Sequence, residues 1–266
     1  MRDLTDVQWA ILQPLLPPRN RTGRPRADDR RTLNAILYVL RTGCAWRDLP
    51  EKYGDDSTAH RRLQRWQREG VWQRIHRTLL GMLERMKRID WSSGLLDGSF
   101  VPAKKGGDAV GLTGKGKGSR LMLATDANGL PLGILTISAG VGGVRMAETT
   151  LATIQVPQKK GKPKCRPRQL IADKGYDSRM LRRSLHRRGI RPCIPPKRRP
   201  TNWKPRQGRP VKAYTEEYQR RWPVERTFAW LGHQRRLLVR HEHTAANYHA
   251  FYTLACIRLT LTPLLR

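Results

Sequence analysis

The sequence predicts an α/β protein, a mixed sheet with flanking helices, preceded by an all-α segment of the helix-turn-helix kind. Three observations carry this. Apolar residues recur at helical spacing from the start to about residue 88. From residue 93 the texture changes to short apolar runs bounded by turn residues, which read as strands. Those strands come first as a meander and then alternate with helices, an order that mixes antiparallel and parallel pairing in one sheet. The change of texture divides the chain into residues 1–90 and 91–266.

The first helix lies in "LTDVQWAILQPLLPP", with Thr5 as cap, Val7, Ile11, Leu12, Leu15 and Leu16 on the apolar side, and prolines to stop it. A basic linker, "RNRTGRPRADDRR", leads to "DDRRTLNAILYVLRTG", where Leu33, Ile36, Leu37 and Leu40 keep helical intervals up to Gly43. "DDSTAHRRLQRWQREG" and "VWQRIHRTLLGMLERMKR" follow as two more helices with Gly70 between them. Short helices, tight glycine turns and one arginine-rich helix make the helix-turn-helix pattern. In that helix Arg61 and Arg65 share a face, Arg62 stands beside them, and Leu63 and Trp66 can turn inward.

In the second part "SGLLDGSFVPAKK" reads as a strand, and "SRLMLATDANGLPLGILTISAG" as two strands joined at Asn128-Gly129, a hairpin signal. A helix over "MAETTLATIQ", the strand "RQLIAD", the helix "SRMLRRSLHRRG" and the strand "IRPCIP" come next. A Pro/Lys/Arg-rich loop covers 195–212. Helices around "PVERTFAWLGHQRRLL" and "AANYHAFYTLACIRLTLTPLL" close the chain.

The 266 residues hold 53 Lys+Arg against 21 Asp+Glu, a formal charge of +32. Such an excess repels itself unless a polyanion screens it, which makes nucleic acid the expected partner. No apolar run reaches the roughly 18 residues of a membrane span, so no membrane partner is expected. The start lacks the layout of a signal peptide, and the four cysteines, Cys44, Cys165, Cys193 and Cys256, form no C-x-x-C pair. The expectation is a cytoplasmic, nucleoid-associated protein.

Against that background the acids stand out. Asp97 ends the apolar run "GLLD", and Asp173 ends "LIAD", where ligands gather beyond the carboxyl ends of parallel strands. Between residues 157 and 213 there are 20 Lys+Arg and two acids, so positive charge keeps Asp173 ionised and suited to a divalent ion. Glu225 is the one acid in "RRWPVERTFAWL". It either pairs with Arg221 or Arg226 at the surface, or joins Asp97 and Asp173 in holding Mg²⁺. Cleaving a DNA phosphodiester needs an activated attacker and a stabilised leaving oxygen, and two ions roughly 3.5–4 Å apart serve both.

The ordered blocks resemble the IS5 family of insertion-sequence transposases, within the IS4-type DDE group. "LTDVQWAILQPLLPP", "GRPRADDRRTLNAILYVLRTGCAWRDLP" and "STAHRRLQRWQREGVWQRI" resemble the family's helical amino-terminal part. "LLDGSF", "LIADKGYDS" and "YQRRWPVERTFAWL" resemble its three catalytic blocks, the last with the spacing Tyr218, Arg221, Glu225. The resemblance implies a ribonuclease H-like catalytic domain and Asp97, Asp173 and Glu225 as catalytic, metal-binding acids. It implies Mg²⁺ (or Mn²⁺) as cofactor, two ions being expected. It also implies double-stranded DNA, both terminal inverted repeats and target, as partner, with a homodimer joining two ends. Two places depart from the family pattern. Gly232 stands where a Lys or Arg usually follows six residues after the glutamate, with Arg235 or Arg236 as substitutes one turn on. "AGVGGVRMAE" is poorer in polar residues than the usual loop there.

DNA contacts are expected from Arg61, Arg62, Arg65, Lys115, Lys117, Tyr218, Arg221, Trp222, Arg235 and Arg236. Trp222 either stacks on an unpaired base or packs beside Phe228 and Leu231. "GLTGKGKGS" misses the P-loop at Gly118 and precedes a strand, so Lys115 and Lys117 belong to a basic loop. "HEH" at 241–243 lacks the spacing and partners of a metal site and reads as a solvated turn. Asp126 suits turn chemistry and Asp177 a helix cap.

Overall fold

The computed structural model describes residues 3–18, 25–197 and 215–265. The expected loop over 195–212 lies almost wholly outside them. The first helix, α1 (Asp6–Leu12), starts at a capping box in which Thr5 and Gln8 exchange backbone-to-side-chain bonds. Pro14 then tightens the chain into a 3₁₀ turn. Helix α2 (Asp29–Thr42) is capped by Asp28 and closed by Gly43 in the left-handed region, φ 72°. Helices α3 (Asp56–Arg68) and α4 (Val71–Arg85) pivot on Gly70 at φ 66°. The Trp66 and Trp72 rings meet edge to face inside that turn.

The sheet contains β1 (Gly94–Pro102), β3 (Gly116–Thr125), β4 (Pro131–Ser138), β5 (Gln169–Ala172) and β6 (Arg191–Cys193). A short strand β2 (Gly111–Thr113), absent from the sequence-based expectation, pairs with the start of β3. The order is β4-β3-β1-β5-β6, the first three antiparallel and the last two parallel to β1. This is the expected mixed sheet, and its order is ribonuclease H-like. Asp126 builds the β3–β4 turn as anticipated, accepting from the backbone N–H groups of Asp90, Asn128 and Leu130.

Helix α5 (Gly143–Ala152) begins three residues before the expected "MAETT": Gly143, Val144 and Arg145 join it, and Gly142 is its extended N-cap. Helix α6 (Arg179–Arg187) is capped by Ser178; Asp177, the residue expected there, instead bonds Arg182 and the Lys197 N–H. The short α7 (Thr215–Gln219) leads into α8 (Trp222–Gly232), which stops six residues short of the expected helix, with a 3₁₀ turn at Arg235–Leu237. The last helix, α9 (Ala245–Leu264), is buried nearly all round. It fills the space between the sheet and α2–α4. Consequently residues 1–90 share a core with the rest: Leu33, Leu40, Leu63 and Trp66 pack in one cluster with Phe251, Ile257, Leu95 and Leu121. The opposite face of the sheet packs on α5 and α6 through Leu96, Met122, Leu151 and Leu181. Among the described residues no helix is long and apolar enough to cross a membrane.

The helical layer and the sheet meet at two buried histidines. His249 on α9 shares a hydrogen bond with Thr136 of β4, 3.0 Å, and His76 on α4 keeps its Nε2 buried without a partner among the described residues. Burial pushes each imidazole down to about 4 from 6.5. Between those values the unfolded chain binds protons that the folded chain refuses. Stability is therefore complete above pH 6.5 and is lost as pH falls toward 4, by on the order of 3 kcal/mol per histidine. Buried Asp126, raised to about 6, works in the opposite sense with less weight. Thermal unfolding at pH 7.5 and pH 5 should show the loss, and His76→Leu with His249→Leu should flatten it.

Candidate active site

Strands β1 and β5 run parallel, and their pairing ends at Leu96 opposite Ala172. The next residue on each strand is an aspartate. Asp97 and Asp173 therefore emerge side by side where the two strands part. Asp97 accepts from the Gly98 N–H at 2.8 Å. Asp173 accepts from the Lys174 N–H at 2.6 Å and from the Tyr218 hydroxyl at 3.1 Å. Helix α8 lies over this fork. Pro223 sits in its first turn, where a missing N–H costs nothing, so Tyr218 falls in α7 and Arg221 becomes the N-cap residue.

Arg221 gathers the acids. Its Nη2 lies 2.5 Å from Glu225 Oε1 and 3.8 Å from Asp97 Oδ2, and its Nη1 lies 3.9 Å from Asp173 Oδ1. The surface pair anticipated for Glu225 is therefore real, and it is part of a larger cluster. Burial works to lower the Arg221 pKa, but Glu225, Asp97 and Tyr218 outweigh it and hold it above the ordinary value. At Asp97 burial dominates and raises the carboxyl; the Gly98 N–H and Arg221 oppose it, while Asp173 and Glu225 add to it.

The donor set suits a hard divalent ion, being carboxylate oxygens from two strand ends and a facing helix. As it stands, the guanidinium occupies the centre. Among the described residues no three acids, histidines or cysteines are close enough to hold an ion between them.

The other expected contacts separate into two groups. Lys115 and Lys117 are exposed on the β2–β3 hairpin, which excludes a P-loop turn for this segment. Arg235 is exposed, as is Arg61, while Arg65 is half exposed and pairs with Glu69 at 2.7 Å. Trp222 is 55% exposed, so packing beside Phe228 and Leu231 is not its role. Two arginines are corrected. Arg62 is buried against Asp29 at 2.5 Å and lies over the Trp66 ring. Arg236 is buried against Glu242 at 2.7 Å and donates to the Cys44 carbonyl at 3.0 Å. Neither faces solvent, so both are structural. Glu242 being buried there also accounts for the "HEH" segment.

The sequence reading missed what surrounds Trp222. Arg226 lies over the Trp222 ring at 4.3 Å and the Trp230 ring at 4.6 Å, and reaches the Asn128 carbonyl at 2.6 Å. The i, i+4, i+8 spacing on one helix was the available signal. At Gly232 a side chain would meet, among the described residues, only Leu238, at 3.8 Å, so the missing basic residue is not excluded by space there.

Residues 4–76 match a family described as "Putative transposase of IS4/5 family", and residues 92–260 match the "Transposase DDE domain". A Burkholderia cepacia protein, "Insertion element IS402 uncharacterized 16.2 kDa protein", is 40% identical over 117 residues, 41% of this chain and 80% of that one. The "Putative transposase for insertion sequence element IS402" of the same organism is 38% identical over 150 residues, 56% of this chain and 65% of that one. Among solved structures, the Mos1 strand transfer complex matches at 15% identity and a TM-score of 0.32, covering 91% of this chain and 78% of that one.

Proposed function

Because the chain belongs to the DDE transposase family, we propose that it binds the ends of its insertion sequence, cleaves them, and joins the freed 3′-hydroxyls to target DNA. Family membership carries dependence on a divalent metal. We assign the holding of two Mg²⁺ (or Mn²⁺) ions to Asp97, Asp173 and Glu225. When bound, such ions supply an activated water or 3′-hydroxyl and neutralise the leaving oxygen. The observation that supports this most is the convergence of all three carboxylates on one guanidinium.

The chain's own groups divide the remaining work. The Lys174 N–H and the Tyr218 hydroxyl orient Asp173, and the Gly98 N–H orients Asp97. Arg221 holds the acids together against their mutual repulsion and offers its guanidinium to a phosphate. Trp222, exposed and braced by Arg226, offers a stacking face to an unpaired base. Lys115, Lys117 and Arg235 track the backbone. Two ends joined in one event call for a homodimer on DNA, in the cytoplasm and associated with the nucleoid.

We assign end recognition to residues 1–90, with Arg61 and Arg65 as the groove-facing pair of α3. Arg61→Ala with Arg65→Ala is expected to weaken binding to the element's ends more than to random duplex. Equal loss on both DNAs would make them phosphate anchors only.

A second reading, an end-binding protein that has lost catalysis, draws on Gly232 in place of the basic residue. Incubating the full chain with DNA carrying the element's ends, with and without Mg²⁺, separates the two. Metal-dependent cleavage and joining support the transposase. Binding without cleavage, restored to cleavage by Gly232→Lys, would establish the decayed copy.

A further inference from the structure

We propose that a notch for one backbone phosphate of DNA lies across β1 from Asp97, built from Arg120, Tyr176 and the first turn of α5. It rests on the DNA reading above and adds residues to it. Successive side chains on a strand point to opposite faces. Asp97 faces α8, so Gly98 faces α5. A Cβ on Gly98 would stand 2.8 Å from the Met122 sulfur, 3.3 Å from Arg120 Cδ and 3.4 Å from the Tyr176 hydroxyl. The glycine leaves the Met122, Arg120 and Tyr176 side chains close against the strand.

The same two groups meet the start of α5. A Cβ on Gly143 would lie 3.1 Å from the Tyr176 hydroxyl and 3.6 Å from Arg120 Nη1. Gly142, the N-cap residue, has no side chain to cap the first turn. A helix N-terminus left so carries outward N–H groups and a positive end of the dipole. Gly143 of "AGVGGVRMAE" leaves room for the phenol to approach that end, with the guanidinium in contact distance beside it.

Among the described residues both side chains lack hydrogen-bond partners. Tyr176 is 6% exposed, yet its hydroxyl makes no hydrogen bond among the described residues. Arg120 Nε is buried without a partner, and no carboxylate pairs with Arg120 among the described residues. Burial pushes the Tyr176 phenol up, with Asp97 and Asp173 adding to it, so it stays a donor at neutral pH. Guanidinium, phenol and helix N–H groups are all donors. That combination selects an anion, and a phosphodiester is the anion that DNA brings to this cleft. Arg120 is a positioning residue here: it fixes a phosphate beside the one being cut, and so sets the register of the strand over Asp97.

The test neutralises phosphates one at a time with methylphosphonate in an end-bearing duplex, and measures affinity without divalent metal. For the wild-type chain, one position near the cleavage junction should cost about tenfold in affinity. Arg120→Gln should be indifferent to that same position while remaining sensitive elsewhere. Arg120→Lys should recover part of the sensitivity, and Tyr176→Phe should halve it or more. Unchanged thermal unfolding in the variants excludes a folding defect. If every position costs wild type and Arg120→Gln alike, the notch is overturned while the DNA reading stands. If the wild type binds no DNA, that reading fails. Phosphorus NMR of inorganic phosphate then decides: broadening by wild type and not by Arg120→Gln retains an anion notch, and equal behaviour removes it.

Discussion

Glu225→Gln is expected to lower the single-turnover rate of end cleavage by on the order of 10³ while leaving DNA affinity intact or slightly raised. The substitution keeps the shape and removes the charge. A carboxamide is a poor ligand for a hard divalent ion, so the site loses one of its three anionic donors. Affinity holds because the variant removes negative charge from a surface that faces phosphate. The competing account treats Glu225 as a helix-surface partner of Arg221. Its side chain is 55% exposed, and exposed i, i+4 pairs contribute at most about 1 kcal/mol. On that account Glu225→Gln would cost a little stability and leave the cleavage rate within a few-fold of wild type. Single-turnover cleavage and a binding isotherm on the same preparation separate the two.

Arg236→Met is expected to destabilise the fold by about 3–5 kcal/mol with no change in DNA affinity per folded molecule. Arg236 leaves the end of α8 and reaches into the protein, where Glu242, the Cys44 carbonyl and the Phe251 ring surround it. Removing the guanidinium strands Glu242, one of whose oxygens already lacks a partner among the described residues. The bond to the Cys44 carbonyl also joins the turn after α8 to the loop after α2, so the loss should weaken the seam between the helical layer and the sheet. Pairing the change with Glu242→Leu should return most of the loss, since a well-packed apolar pair replaces a buried ion pair at little cost. Denaturant unfolding of the two single variants and the double variant measures this directly.

These cases mark what one chain of letters makes legible. Asp97 and Asp173 were legible because each ends an apolar run, and strand registers then bring such ends together. The Asn128-Gly129 turn, the Thr5 cap and the Gly43 stop were legible because their chemistry is local. Arg62 and Arg236 were not. An arginine on a basic helix reads as a solvated charge unless its partner is known, and Asp29 lies 33 residues from Arg62. The β2 strand escaped because "GLT" in a run of glycines and lysines has no apolar alternation. Tyr176 and Arg120 escaped for a related reason: what joins them is the missing Cβ at Gly98 and Gly143, which only packing reveals. Arg221 at the centre of the acids was half legible. Its spacing to Glu225 is helical, but its reach to Asp97 and Asp173 depends on how α8 is laid over the fork of β1 and β5.

Asp97, Asp173 and Glu225 are proposed to hold divalent ions together. The most direct measurement is a Mn²⁺ titration of the full chain followed by electron paramagnetic resonance, on the wild type and on Asp97→Asn. Saturable binding of up to two ions is expected for the wild type, with loss of that binding in Asp97→Asn at unchanged thermal stability. Binding of equal strength in both proteins, or none in either with or without DNA, would contradict it.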